Sequence, residues 1–528
     1  MEQLASLDNL SSGLLATALV AVIAGAAWFR WRMSDATAPI PGIPFQAQLH
    51  KPILGCALIL QEIISGTRLL CVDHANEEGM ASFSLVGQTV VSVTRAEHVR
   101  KVLLASNFRN DIPLINKHLR AFLGNRSLVL LMHGEWKAHR HIMTRAFHHE
   151  HLKGMVADFS EVADALVARL VEQAEPAGGS NSGGAHKVNV VPVLKMATLD
   201  AIGLTAFGYR FDTLKNGSHP VVSAFEYLLD ETTRRQFEAP LSLEALWAGL
   251  PTASNRRLKR EVAVLRACVD GIVAARAAEG PARRDCHDDL LKHMLAAREA
   301  EGAGAISDEA LGDNLLTLVF GGFDTTSIAL TYVLYLVAQH PEVEAAALAE
   351  VERVLGDRRA IVHEDMGSLV YCAAVVTEAL RLYPPAPLTV RTLEAPLELE
   401  GSPSGETKTL PAGTMVYLPI WWIHRDKRNW GADAEQFRPE RHLKSGDEAQ
   451  TKSASSFRMV AFSGGQRNCP GQRFAMTEAT ILFVTLLRGL SFSVAEESRG
   501  LAPVSTGVVQ KPRGGELWMH VAPRGCHG

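Results

Sequence analysis

The sequence predicts one large, helix-bearing domain behind an N-terminal membrane-spanning helix. Three observations carry this. An uncharged, nearly all-apolar run fills Gly13 to Phe29. A long apolar helical segment runs from Ser307 to Gln339. A glycine-rich loop with one cysteine, Phe462-Ser463-Gly464-Gly465-Gln466-Arg467-Asn468-Cys469-Pro470-Gly471, leads into a helix-patterned stretch from Gln472 to about Leu487. No repeat and no long linker divides the 528 residues into independent cores, so one catalytic domain plus an anchor is the economical organisation.

Composition narrows the function classes. The chain is 47% hydrophobic and 21% charged, as folded proteins are, and its 53 basic and 57 acidic residues leave a net charge of −4. That balance gives no support for nucleic-acid binding. The cysteines, Cys56, Cys71, Cys268, Cys286, Cys372, Cys469 and Cys526, are scattered, odd in number and without a C-x-x-C pair. This fits a reduced compartment with neither a disulfide framework nor a zinc site.

In chain order, residues 1–32 form the anchor. The run from Gly13 is about the minimum length for a spanning helix, and Trp28 and Trp31 suit an interfacial belt. Glu2 and Asp8 precede it and Arg30 and Arg32 follow, which places the bulk of the chain in the cytosol as a single-pass protein. A cleaved signal peptide is the rival, helped by Ala24-Gly25-Ala26, but the basic leading region of such a peptide is missing. Residues 33–48 contain Pro39-Ile40-Pro41-Gly42-Ile43-Pro44, whose prolines fix φ and remove donors, so they read as a stiff hinge before the domain at 49–528. Asn125-Arg126-Ser127 and Asn216-Gly217-Ser218 match the glycosylation pattern, and a cytosolic domain leaves both unmodified.

Within the domain, Trp136 and Arg140 stand at i, i+4 and share one helix face. His148-His149-Glu150-His151 has no second histidine at helical metal-ligand spacing, since Lys153 takes that position, and reads as a solvated helix end. Ser307 is a fitting N-cap with Asp308 and Glu309 in the first turn, and the segment it opens stops at His340-Pro341. In its middle sits Gly321-Gly322-Phe323-Asp324-Thr325-Thr326. Each interior glycine costs about 1 kcal/mol relative to alanine, so a structural benefit must offset the pair. Aspartate and threonine compete for backbone hydrogen bonds, which makes a local distortion reasonable there. Glu378 and Arg381 stand at i, i+3 after apolar Ala373 to Val376 and before Pro384-Pro385, so this opposite-charge pair belongs to a buried element. Phe437-Arg438-Pro439-Glu440-Arg441 and Arg391 follow the same stretch.

Phe462, Gly464, Arg467, Cys469 and Gly471 at this spacing resemble the haem-binding loop of the cytochrome P450 family. The motifs from Trp136 onward follow the family's order. The resemblance implies a mainly α fold with a minor β lobe, preceded here by one transmembrane helix. It implies haem b with Cys469 as the axial thiolate, a ligand whose electron donation favours O–O cleavage. Trp136, Arg140, Arg391 and Arg467 would hold the propionates, a task suited to planar guanidinium forks. In the family's oxygen-binding helix the glycine-rich run opens beside the iron. Thr325 would hydrogen-bond the oxygen and Asp324 would relay protons. Glu378, Arg381 and Arg441 would lock the fold around the cofactor. Leu316, Val319, Phe320 and Phe323, with Pro387, Leu388 and Val390, would wall the substrate space.

The activity implied is monooxygenation of a lipophilic substrate by O2, in the endoplasmic reticulum membrane, with electrons from NADPH through NADPH-cytochrome P450 reductase and cytochrome b5 as an accessory donor. The alternatives are an isomerase or synthase that rearranges a peroxide without external electrons, and a non-catalytic haem sensor; neither needs the Asp324-Thr325 pair. Fatty acids, terpenoids or carotenoids, sterols and foreign compounds stay open as substrates.

The loop is nearest in flavour to the family's fatty-acid-hydroxylase branch, with two departures. Many members of that branch form an ester to haem through a glutamate where this chain has Gly321, so haem held without a covalent side-chain bond, and removed by acid–organic extraction, is expected. Pro470, directly after the cysteine, lacks an N–H, which leaves sulfur more electron-rich and the iron potential lower than with alanine there.

Overall fold

Apolar residues recurring at helical spacing place most of the described chain in helices. The computed structural model describes residues 40–45, 68, 71–85, 88–105, 108–109, 113–147, 149–174, 186–237, 250–278, 289–301, 307–400, 405–443, 455–505 and 508–524. The expected anchor at 1–32, most of the 33–48 hinge, His148, and Cys56, Cys286 and Cys526 lie outside them.

The longer helices are α1 (Ala96–Leu104), α2 (Pro113–Leu123), α3 (His133–Ala146), α4 (His149–Ala174), α5 (Val190–Phe207), α6 (Pro220–Phe237), α7 (Ala253–Ala278), α8 (Leu290–Glu301), α9 (Asp308–Val337), α10 (Pro341–Leu355), α11 (Val370–Leu382) and α12 (Gln472–Gly489). Helix α9 is the axis of the domain, with α5, α11 and α12 packed around it. Its start is as expected: Ser307 Oγ accepts the Ala310 N–H at 3.1 Å. By length and composition α5 and α9 resemble membrane spans, yet both are largely buried inside the domain. That is the behaviour of core helices that are apolar on most sides.

Two details of α9 differ from the expectation. The helix ends at Val337, and Ala338 to His340 turn out of it so that Pro341 can open α10. It is also continuous through Gly321-Gly322, with no break in its helical assignment. Packing explains why the glycines are nevertheless there. A Cβ on Gly322 would lie 2.8 Å from Cδ1 and Cγ1 of Ile202 on α5, so the glycine allows the two helices to approach closely. A Cβ on Gly321 would meet nothing within 4 Å.

The minor β part centres on a five-stranded sheet ordered Met80–Leu85, Gln88–Val93, Met415–Leu418, Thr389–Leu393, Phe108–Arg109. Its second and third strands are parallel, with Val91 opposite Val416, and the other pairs are antiparallel. The described part of the proline-rich stretch lies against this sheet. Ile40 and Ile43 are buried with Val91 and Leu418, and the Ser82 N–H donates to Pro44 O at 2.7 Å. A three-stranded sheet, His186–Asn189, Trp518–Pro523 and Leu490–Val494, closes the opposite end of the sequence onto α4.

Candidate active site

The cysteine loop is closed by its own backbone. Phe462 O accepts the Cys469 N–H at 2.9 Å, and Ser463 N–H donates to Val460 O at 2.8 Å. Ser463 and Gly465 take left-handed φ values of 59° and 67°. At Gly465 only glycine fits, because a Cβ would lie 1.9 Å from Leu103 O at the end of α1. Gly471 then caps α12, its carbonyl accepting from Ala475 N–H at 2.8 Å. Cys469 thus stands just ahead of a helix N-terminus, half-buried. Burial pushes its thiol up, while the Gly471 amide and the charge of Arg140 act the other way and favour the thiolate.

Three guanidinium groups from three segments reach this loop. Arg140 on α3 donates to Asn468 O and Oδ1, both at 2.6 Å. Arg391, buried on its strand, lies 3.4 Å from Ser463 Oγ. Arg467, from the loop itself, stacks 4.0 Å over the ring of Trp136, one α3 turn before Arg140. Burial holds Arg467 down at about 10, and the neighbouring charges of Arg391 and Arg140 add to that depression. Such a gathering of mutually repelling cations around a thiol has the chemistry to hold a dianionic group.

Behind the loop, Glu378 and Arg381 form a fully buried two-bond ion pair at 2.7 and 2.8 Å. Arg441 joins through Nε at 2.9 Å, as expected from the sequence. Two partners of Glu378 were not expected, His442 at 2.7 Å and the Arg438 amide at 3.0 Å. Burial pushes the Glu378 carboxyl up, but hydrogen bonds from Arg381 and His442 outweigh it and hold the pKa at about 2. Arg381 also donates to the carbonyls of His424 at 2.7 Å and Ala434 at 2.6 Å.

Helix α9 presents the polar run on two faces. Gly321 and Thr325, one turn apart, are not fully buried, and the Thr325 hydroxyl donates to Gly321 O at 2.6 Å. Asp324 points the other way into the core, toward Lys195 on α5, with Nζ–Oδ1 3.9 Å. Thr198 of α5 donates to Phe323 O at 2.7 Å, so a neighbouring hydroxyl engages the α9 backbone at the motif itself. Phe320 stacks on Phe225 of α6 at a ring separation of 5.8 Å, and Phe323 packs tilted against the same ring at 5.3 Å. Lys195 escaped the sequence reading, although a lone cation in the apolar run Val190–Ala197 was a visible signal.

A model of the family described as Cytochrome P450 matches residues 47–519. The chain belongs to the cytochrome P450 family. Cytochrome P450 72A15 of Arabidopsis thaliana is 33% identical over 73% of this chain and 71% of its own. The 11-oxo-beta-amyrin 30-oxidase of Glycyrrhiza uralensis is 29% identical over 90% of this chain and 88% of its own. Cytochrome P450 4ae1 of Drosophila melanogaster is 29% identical over 90% and 92%. As a P450 the protein is a monooxygenase, an oxidoreductase that uses O2, redox partners and lipophilic substrates, and its cofactor is haem b ligated by a cysteine thiolate. The residues present fit that group: a loop thiol with an amide donor, a triple-arginine cradle for propionates, and open space beside Gly321.

Proposed function

We propose that Cys469 is the thiolate ligand of the haem, that Trp136, Arg140, Arg391 and Arg467 hold its propionates, and that the Gly321–Thr325 face of α9 borders the oxygen site. The observation that carries this reading is the convergence of Arg140, Arg391 and Arg467 on the loop that presents Cys469. Bound there, haem supplies the activation of O2 that amino-acid side chains lack. The chain's own residues do the rest. The Gly471 amide and Arg140 favour the ionised sulfur against the burial that opposes it, and the Glu378–Arg381–Arg441 cluster fixes the segment behind the loop. The Thr325 hydroxyl, whose proton is held by Gly321 O, offers its oxygen lone pairs to the oxygen site, and Asp324, on the buried face of α9, accepts and releases the protons.

The substrate is a lipophile walled by Leu316, Val319, Phe320 and Phe323 with Pro387, Leu388 and Val390. Residues 1–32 anchor the protein in the endoplasmic reticulum membrane, where NADPH-cytochrome P450 reductase, with cytochrome b5 as accessory, delivers electrons. The peroxide-rearranging alternative is not favoured, since the matched relatives are P450 enzymes and one is named as an oxidase. The deciding experiment is titration of the purified ferric protein with a long-chain fatty acid while the haem Soret band is followed. A saturable low- to high-spin shift places the acyl chain beside iron. No shift turns the search to triterpenoid, carotenoid and sterol panels, the first of these prompted by the name of the Glycyrrhiza relative.

A further inference from the structure

Lys195 is buried in an apolar helix, where a cation is tolerated only with partners. Its partners are unequal. Nζ makes a 2.6 Å hydrogen bond to Glu226 Oε1 on α6, and lies 3.9 Å from Asp324 Oδ1 on α9. The Glu226 side chain is 46% exposed, whereas that of Asp324 is 4% exposed. Asp324 Oδ2 is buried and makes no hydrogen bond among the described residues. The ammonium therefore stands between one carboxylate open to solvent and one shut inside beside the oxygen motif. Were Lys195 a purely structural counter-ion for Asp324, its short hydrogen bond would go to the buried acid, whose desolvation is the larger cost.

We propose that Lys195 is the gate through which protons pass from solvent at Glu226 to Asp324. The ammonium moves toward Asp324 by about 1 Å, the shortfall between the present separation and an ordinary hydrogen bond. A Lys195 N–H bond breaks as an Asp324 O–H bond forms. Glu226 takes a proton from hydronium at its exposed face and passes it to the neutral amine, which returns Lys195 to ammonium and Glu226 to carboxylate. One proton crosses and no electrons move. Burial pulls the Lys195 pKa down, but Asp324, Glu226 and Asp230 outweigh burial and raise it, so the ammonium is the resting form and gives up its proton only transiently. Burial pushes Asp324 up, Lys195 and Lys511 oppose it, and Glu226 and Asp230 add to it; Lys511 is itself tied to Asp230 at 2.8 Å. The proposal rests on the reading of Asp324 as the proton carrier.

The test uses the full-length holoenzyme. The infrared carboxylic C=O band of Asp324, assigned by its loss in Asp324→Asn, is titrated against pH in wild type, Lys195→Met and Lys195→Arg. Lys195→Met is expected to raise the midpoint by about one pH unit or more, as loss of a nearby opposite charge does, and Lys195→Arg to restore most of it. In turnover, Lys195→Met and the exposed-face variant Glu226→Gln are expected to lose product to hydrogen peroxide several-fold and to enlarge the solvent deuterium isotope effect. Glu226→Gln keeps the test alive if Lys195→Met does not fold. An unchanged Asp324 midpoint together with a wild-type product-to-peroxide ratio in Glu226→Gln, while Asp324→Asn is impaired, overturns the gate. Wild-type turnover in Asp324→Asn overturns the underlying assignment of Asp324 as well.

Discussion

The imidazole of His424 joins the buried Arg381 to the start of the cysteine loop: its Nε2 accepts the Val460 N–H at 2.9 Å, and its Nδ1 lies 3.0 Å from Arg381 O. Because an amide can only donate, Nε2 is the bare nitrogen and Nδ1–H donates to the carbonyl. The ring is wholly buried and neutral, burial holding its pKa down at about 3. A continuous set of hydrogen bonds thus runs from Glu378 through Arg381 and His424 to Val460, whose carbonyl takes the Ser463 N–H in the loop.

Replacing His424 by alanine strands the Val460 amide and removes a partner of Arg381 O. Each buried group left unpaired costs about 1–3 kcal/mol. The variant should unfold several degrees lower, and its reduced carbon-monoxide complex should show a smaller thiolate-type Soret fraction. Thermal scans and the carbon-monoxide difference spectrum measure the two effects. A stable variant with a full thiolate spectrum would mean that the loop is held without this link.

The same residues set a pH dependence. Glu378 has a folded pKa of about 2 against an ordinary 4.5, so its stabilising effect is complete above the ordinary value and is lost as pH falls toward about 2. His424 falls from 6.5 to about 3 on folding, so below 6.5 the unfolded chain binds the proton first and stability again declines with pH. Both act in one direction. Denaturant midpoints measured across the acid range should fall steadily below neutrality, and Glu378→Gln should be less stable at neutral pH but flatter in the lower half of that range.

The adjacent glycines of α9 should respond oppositely to alanine. In the haem-free protein Gly321→Ala gains up to about 1 kcal/mol of helix propensity, since its new methyl meets no protein atom within 4 Å. Gly322→Ala drives a methyl against Ile202 and should be the less stable of the two, with partial recovery in the double variant Gly322→Ala/Ile202→Val. Equal denaturant midpoints for the two single variants would argue against close α5–α9 packing as the reason for Gly322.

Pro470→Ala should raise the iron reduction potential. The Gly471 amide already acts on Cys469, and alanine supplies a further N–H next to the sulfur, withdrawing electron density from it. Spectroelectrochemical titration of both proteins reads the difference, and equal potentials would leave Pro470 without an electronic role.

What the sequence determined by itself are the features in which chemistry is written in local spacing. Trp136 and Arg140 on one helix face, Glu378 and Arg381 in one turn, Ser307 as a cap and the glycine loop around Cys469 all depend on residues within about ten positions of each other. The tertiary structure decided what depends on distant neighbours. Ile202 gives Gly322 its reason, Leu103 gives Gly465 its reason, His424 meets Val460, and Lys195 faces Asp324 from a helix more than a hundred residues earlier. Burial turns these encounters into strong constraints: a methyl group without space, or a charge without water, is costly only when the rest of the chain has closed around it.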